Sequence, residues 1–145
     1  MPANRAYDYA VIRVVPDVAR GEFINAGVIL FCRPARFLAA AIDLDAALLR
    51  TLAPDIDVAA VEAHLALIPA MCAGAGPIGA LDLSEIFHWV VAPHSTVVQC
   101  SEVHTGLTDD LPAAVEHLLD TLVRRGVSHP PAGRAASAAQ SDSPR

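Results

Sequence analysis

The chain contains no lysine; all ten of its basic residues are arginine. That absence excludes Schiff-base and nucleotidyl-lysine chemistry, and the lysine of a phosphate-binding loop. It also removes lysine as a guard of exposed sheet edges. Aromatic residues make up only 5% of the chain, against 54% hydrophobic residues in all, many of them alanine. Alanine buries little area, so the core must rest on Val, Ile, Leu and the few rings. Cysteine is limited to Cys32, Cys72 and Cys100, odd in number, far apart and without a Cys-x-x-Cys pair. This argues against a disulfide framework and a zinc knuckle and points to reduced, mostly buried thiols. Long apolar runs are also missing. The longest uncharged run, Leu65 to Leu81, is interrupted by three glycines and two prolines, so no membrane span is expected. The polar N-terminus lacks the apolar region of a signal peptide. The expected setting is cytoplasmic.

The 145 residues suit one domain, large enough to fold without staples. The formal net charge of −6 is unevenly spread. Five arginines against Asp8, Asp17 and Glu22 leave residues 1–42 at +2, and five arginines against thirteen acids leave residues 43–145 at −8. General nucleic-acid binding is not expected of such a chain, because phosphate contacts dominate that affinity. Arg13, Arg20 and Arg33 are the candidates for a small anion patch, in competition with a reading as solvated sheet-edge charges.

The most apolar extended run is Arg20 to Arg33, which predicts a buried central strand from about Phe23 to Cys32. Asn25 inside it must find hydrogen-bond partners, and Gly27 suits a close backbone approach. Residues 1–6 read as a flexible start. Tyr7 to Val15 alternates as a strand that Pro16 should stop, and a loop through Gly21 makes the two strands an antiparallel pair. Phe37 to Ile42 reads as a third strand. Asp43 or Asp45 should cap a short helix ending at Pro54. Asp57 should cap a second, which Pro69 kinks or ends. Gly74 to Gly79 lacks the flanking strand, helix and Lys or Ser/Thr of a phosphate loop, and is read as a plain loop. Ile86 to Ala92 alternates like a strand, and Thr96 to Gln99 resumes extended structure. His104-Thr105-Gly106 reads as a turn. Asp109 or Asp110 should cap a last helix with Leu111, Val115, Leu118, Leu119, Leu122 and Val123 on one stripe, ended by Gly126. Residues 127–145, rich in Pro, Ala and Ser without an aromatic, read as a disordered tail after a domain over 7–126.

Polar residues are densest between His88 and Asp110, and four chemistries compete there. A phosphodiesterase of the paired-histidine type needs two His-x-Ser/Thr units. His94-Ser95-Thr96 resembles one, but Gly106 spoils the second at His104-Thr105. A metal site would draw on His88, His94, His104 and Asp109, although no pair has ligand spacing. Nucleophilic catalysis would use Ser95 or Cys100 with His104, outside any recognised elbow. The favoured reading is structural, with these side chains bonding local backbone at turns and caps.

Two stretches carry a family resemblance. Tyr7 to Pro16 followed by Arg20 to Leu30, and later Pro93 to Gln99 with Val103 to Leu107 and Asp109, resemble the bacterial domain-of-unknown-function family 3037 over roughly residues 6–125. The chain departs from that family's pattern at His94, where Arg is usual, and at Glu102, where Pro is usual. The resemblance implies no established activity. It implies at most a partner, because members are encoded near kinases similar to the toxin kinase of toxin–antitoxin pairs.

The fold expected is α+β: an antiparallel sheet of about four to five strands with about three helices mostly on one face. The leading functional expectation is a non-enzymatic protein-interaction or regulatory module with a kinase-like partner and no cofactor. The alternative is a small phosphate-binding hydrolase or phosphodiesterase-like enzyme using His94, Ser95, Thr96 and His104, with an arginine holding a small anionic ligand. Space separates them: the enzyme requires His94, His104 and an arginine of the first strands in one pocket.

Overall fold

A computed structural model describes residues 4–94 and 96–125. Strand β1 (Arg5–Asp17) turns through a 3-10 segment at Val18–Arg20 into β2 (Glu22–Cys32). Asp17 caps the turn by accepting from the Ala19 N–H at 3.0 Å, and Gly21 closes it at φ 70°. Strand β3 (Phe37–Ile42) follows, then helices α1 (Ala46–Leu52) and α2 (Val58–Cys72), a single turn α3 (Gly76–Gly79), and α4 (Leu83–Val91). Strands β4 (Val98–Cys100) and β5 (His104–Thr108) lead into α5 (Leu111–Leu118), which runs on as a π-helical segment over Leu119–Val123. The architecture is α+β.

The sheet has the order β3-β2-β1-β4, with β5 also paired to β1, and every pairing is antiparallel. β4 and β5 share one edge of β1: β4 pairs with Ile12–Val14 and β5 with Arg5–Tyr9. β1 thus begins inside the segment expected to be loose, because Arg5 and Ala6 pair with Thr108 and Leu107. It also continues through Pro16 to Asp17. Where β4 gives way to β5, Ser101 keeps the edge satisfied. Its N–H donates to the Val11 carbonyl at 2.8 Å, and its buried hydroxyl accepts from the Val11 N–H at 2.9 Å.

The β1–β2 register shifts by one residue, from Ile12 opposite Gly27 to Arg13 opposite Asn25, which leaves Ala26 as a bulge. The bulge reverses the facing of β2. Ile24 before it and Ala26 within it, and Ile29 and Phe31 after it, enter one core cluster. Val28, Leu30 and Cys32 enter the other. The first cluster packs under Leu49 of α1, Val61 and Leu65 of α2, and Phe87 of α4. The second packs under Leu111, Val115 and Leu118 of α5. Most helices therefore cover one face, and α5 covers the other. Gly27 answers to a close approach: a Cβ there would stand 2.5 Å from the Ala41 carbonyl oxygen of β3.

Three helix caps are Asp45, Asp57 and Asp110, whose carboxylates accept from the Leu48, Ala60 and Ala113 N–H groups. Pro69 sits inside α2, and the helix ends within one turn of it, at Cys72. The expected strand over Ile86–Ala92 is instead part of α4. Ile86, Phe87 and Val90 are buried while His88 and Trp89 are exposed, which is a helical spacing. A capping box, Asp82 with Glu85, starts this helix. The expected turn at His104–Gly106 is strand β5, held by pairing to Tyr7–Tyr9. The expected loop over Gly74–Gly79 holds the turn α3. Gly126 and the segment 127–145 lie outside the described residues.

Candidate functional site

A largely apolar cleft lies between the second half of α2, the C-terminal end of α4 and strand β4, with a volume of about 190 Å³. Helix α2 contributes His64, Leu67, Ile68 and Met71, and α4 contributes Trp89 and Val90. After the Ala92 C-cap the chain turns at Pro93 and brings His94 and Thr96 to the rim, and β4 closes the cleft with Val98, Gln99 and Cys100. Two large apolar side chains stand on the rim in contact with solvent, Leu67 at 56% exposure and Trp89 at 44%.

Four polar residues here, His94, Thr96, Gln99 and Cys100, are tied locally. His94 Nε2 donates to the Trp89 carbonyl at 3.1 Å, and its ring centre lies 5.2 Å from that of Trp89. Thr96 Oγ1 donates to the Val98 carbonyl at 2.7 Å, and Gln99 Nε2 to the Thr96 carbonyl at 2.9 Å. Cys100 Sγ donates to the Val90 carbonyl. Burial pushes the Cys100 thiol up to about 11, only partly opposed by Arg13, and burial alone pushes Cys72 up to about 11. A thiol so disfavoured from ionising is a poor nucleophile near neutrality, which removes the expectation for Cys100.

The sequence-predicted site residues do not converge. His104 lies on β5 opposite Tyr9, its ring 5.5 Å from the tyrosine's. Tyr9 packs against the cluster under α5, and directly paired residues share a face. His104 is thus on the face of the sheet opposite the cleft that holds His94. Ser95 lies outside the described residues. His88 is on the exposed side of α4, where Nδ1 donates to the Ser84 carbonyl at 2.6 Å. Asp109 is an exposed residue beyond β5. The expected metal set of His88, His94, His104 and Asp109 is therefore scattered over separate elements and faces. Among the described residues no three His, Cys, Asp or Glu side chains come together to hold a metal ion.

The three candidate anion-binding arginines are also apart. Arg20, at the hairpin, pairs with Glu22 through two bonds of 2.9 and 3.0 Å, which holds the Glu22 carboxyl below its usual range. Arg13 lies over the Phe23 ring at 4.1 Å, and its buried Nε has no hydrogen-bond partner among the described residues. Arg33 stands beyond the other end of β2, roughly 35 Å from Arg20 at strand rise, and donates to Ser84 Oγ at 2.9 Å. It shares a more polar cleft of about 420 Å³ with Arg36, Asp82 and Ser84.

Sequence reasoning missed His64, Leu67 and Met71 of α2 and placed Trp89 on a strand. The available signal was the composition of α2, in which Glu62 is the one charged residue and apolar residues lie on more than one side. The run Val58–Gly79 has a mean hydropathy of 1.6, enough by length and composition alone to cross a membrane. Here Val58, Val61, Leu65 and Ile68 are committed to the sheet core, while Ala59, Ala63, Ala66 and Leu67 face solvent.

No curated protein and no solved structure matches this chain. The family described as Protein of unknown function (DUF3037) matches residues 9–123, and the chain belongs to that family.

Proposed function

We propose that the protein is an interaction module whose cleft between α2, α4 and β4 receives an apolar side chain of a partner protein. The observation that carries this reading is the pair Leu67 and Trp89, both large, apolar and exposed, on the rim of an apolar cleft. Exposed apolar clusters of this kind mark contact surfaces, and tryptophan is the residue most enriched at their energetic centres. A cleft of about 190 Å³ is below the range of small-molecule sites and suits an anchoring side chain. The acid excess of residues 43–145 favours a partner with basic residues around that anchor. The family resemblance suggests a kinase-like protein as that partner.

The hydrolase alternative draws no support from His94 and His104, which lie on opposite faces of the sheet. Affinity capture from the native cells with wild-type and Leu67→Glu protein as paired baits tests the proposal. The expected result is one protein captured in stoichiometric amount by the wild type and lost with Leu67→Glu, and binding again when purified. Equal capture by both baits would overturn it.

A further inference from the structure

Strand β3 ends the sheet, and no strand among the described residues pairs with its outer edge. Its sequence, Phe-Leu-Ala-Ala-Ala-Ile, has no charge, no proline and no bulge toward β2. These are the devices by which edge strands avoid pairing with other chains, and β3 has none of them. All six residues are partly exposed. Beside the strand runs a groove of about 560 Å³ floored by Ala40, Ala41 and Ile42 and walled by Glu62, Leu65 and Ala66 of α2.

The directions of the backbone groups follow from the ladder. Asp43 donates its N–H to the Ala26 carbonyl at 2.8 Å, so Asp43 points inward toward β2. The Ala41 carbonyl oxygen beside Gly27 also points inward. Antiparallel strands alternate, so the N–H and C=O groups of Leu38, Ala40 and Ile42 point outward. This set is symmetric about Ala40. A second β3 running antiparallel places Ala40 opposite its own copy and Leu38 opposite Ile42, and satisfies all six outward groups at once.

Charge selects the same occupant. Arg36 stands just before β3 with a left-handed backbone, φ 52°, and forms no ion pair among the described residues. At the other end of the strand, along the groove, stand Asp43, which Arg124 already holds, and Glu62, which forms no ion pair among the described residues and is the acid left for a second copy's Arg36. In an antiparallel pair of copies, each Arg36 comes to the acidic end of the other. A parallel copy would instead bring like charges together.

We propose that the outer edge of β3 joins two copies of this chain about a two-fold axis through Ala40, continuing the sheet from one copy into the next. The contact is separate from the α2–α4 cleft and does not depend on it.

Sedimentation of the full chain over a broad range of concentration tests this, together with amide hydrogen exchange. The expected result is a reversible dimer in which the Leu38, Ala40 and Ile42 amides are protected in proportion to dimer formed. Arg36→Glu and Glu62→Arg should each weaken the dimer about tenfold, and the double swap should restore it. Both side chains are exposed, and the wild-type exchange measurement requires no variant. A monomer at every concentration would overturn the proposal, as would a dimer whose three amides exchange freely. So would a monomer that dimerises only once residues 127–145 are removed, because that segment would then be the occupant of the edge.

Discussion

The Ser101 hydroxyl accepts a hydrogen bond from the Val11 N–H at 2.9 Å and donates one to the Glu102 carbonyl at 2.8 Å. It is a side chain in a place where a sheet normally has backbone. β4 and β5 pair with different halves of β1, and Ser101 bridges the gap between them. Ser101→Ala should leave the buried Val11 N–H unsatisfied and cost about 1–3 kcal/mol. Urea unfolding of the two proteins measures it. Ser101→Thr retains the hydroxyl and should recover part of the loss.

Gly27 is fixed by the approach of β3. An alanine Cβ would lie 2.5 Å from the Ala41 carbonyl oxygen and 2.8 Å from Ile42 Cδ1, and the first of these is backbone that cannot turn aside. Gly27→Ala should destabilise by about 1–3 kcal/mol, the usual cost of overpacking. The same unfolding measurement checks it, with Gly21→Ala as the contrast. A Cβ at Gly21 meets nothing within 4 Å, and the strain there is that of its positive φ alone.

These two positions show what the sequence makes legible. Asn25 and Gly27 stand out in the chain because an amide and a glycine inside an apolar strand need reasons, and each has one. Asn25 Nδ2 donates to the Leu122 carbonyl at 2.9 Å, tying β2 to the segment after α5, while its buried Oδ1 has no hydrogen-bond partner among the described residues. The helix caps at Asp45, Asp57 and Asp110 are readable because a carboxylate before an apolar stripe has few other uses. α4 is not readable from alternation. Over seven residues Ile86–Ala92 satisfies both a period of two and a period of 3.6, and only the Asp82–Glu85 capping box separates them. The site is the least legible part of the chain. Histidines and hydroxyls attract chemical readings, yet the sheet sends His94 and His104 to opposite faces. Leu67 and Trp89 look like core residues until the fold leaves both exposed among the described residues.

Stability should fall as the solution is made alkaline. Burial raises the Cys72 and Cys100 thiols from 9.0 to about 11 in the folded protein. Between those values the unfolded chain loses its thiol protons while the folded chain retains them, so the unfolded state gains as pH rises. Burial and the neighbouring Tyr9 raise the Tyr7 hydroxyl as well, and its contribution is lost in the same direction at higher pH. Melting temperatures across this window should decline, and less steeply for a Cys72→Ala, Cys100→Ala double variant. Thiol labelling at neutral pH should be slow at both positions in the folded protein.

Arg124 gathers three carboxylates, Asp43 at 2.6 Å and Glu116 and Asp120 at 2.8 Å each. These pairs are solvated and therefore weak and screened. Arg124→Leu should lower the melting temperature slightly at low salt, and the difference from wild type should shrink as salt is added. A difference independent of salt would mean that Arg124 acts through its packing instead.

The most direct measurement uses the single tryptophan of the chain, which stands on the rim of the proposed docking cleft. The purified partner, made without tryptophan, is titrated into the protein while Trp89 emission is followed. If the α2–α4 cleft is the docking surface, the emission shifts to the blue and saturates, and Leu67→Glu abolishes the shift. The β3-edge variant Arg36→Glu should bind that partner as the wild type does. A saturating complex in which Trp89 emission does not move, or one that Leu67→Glu forms equally well, would contradict the account.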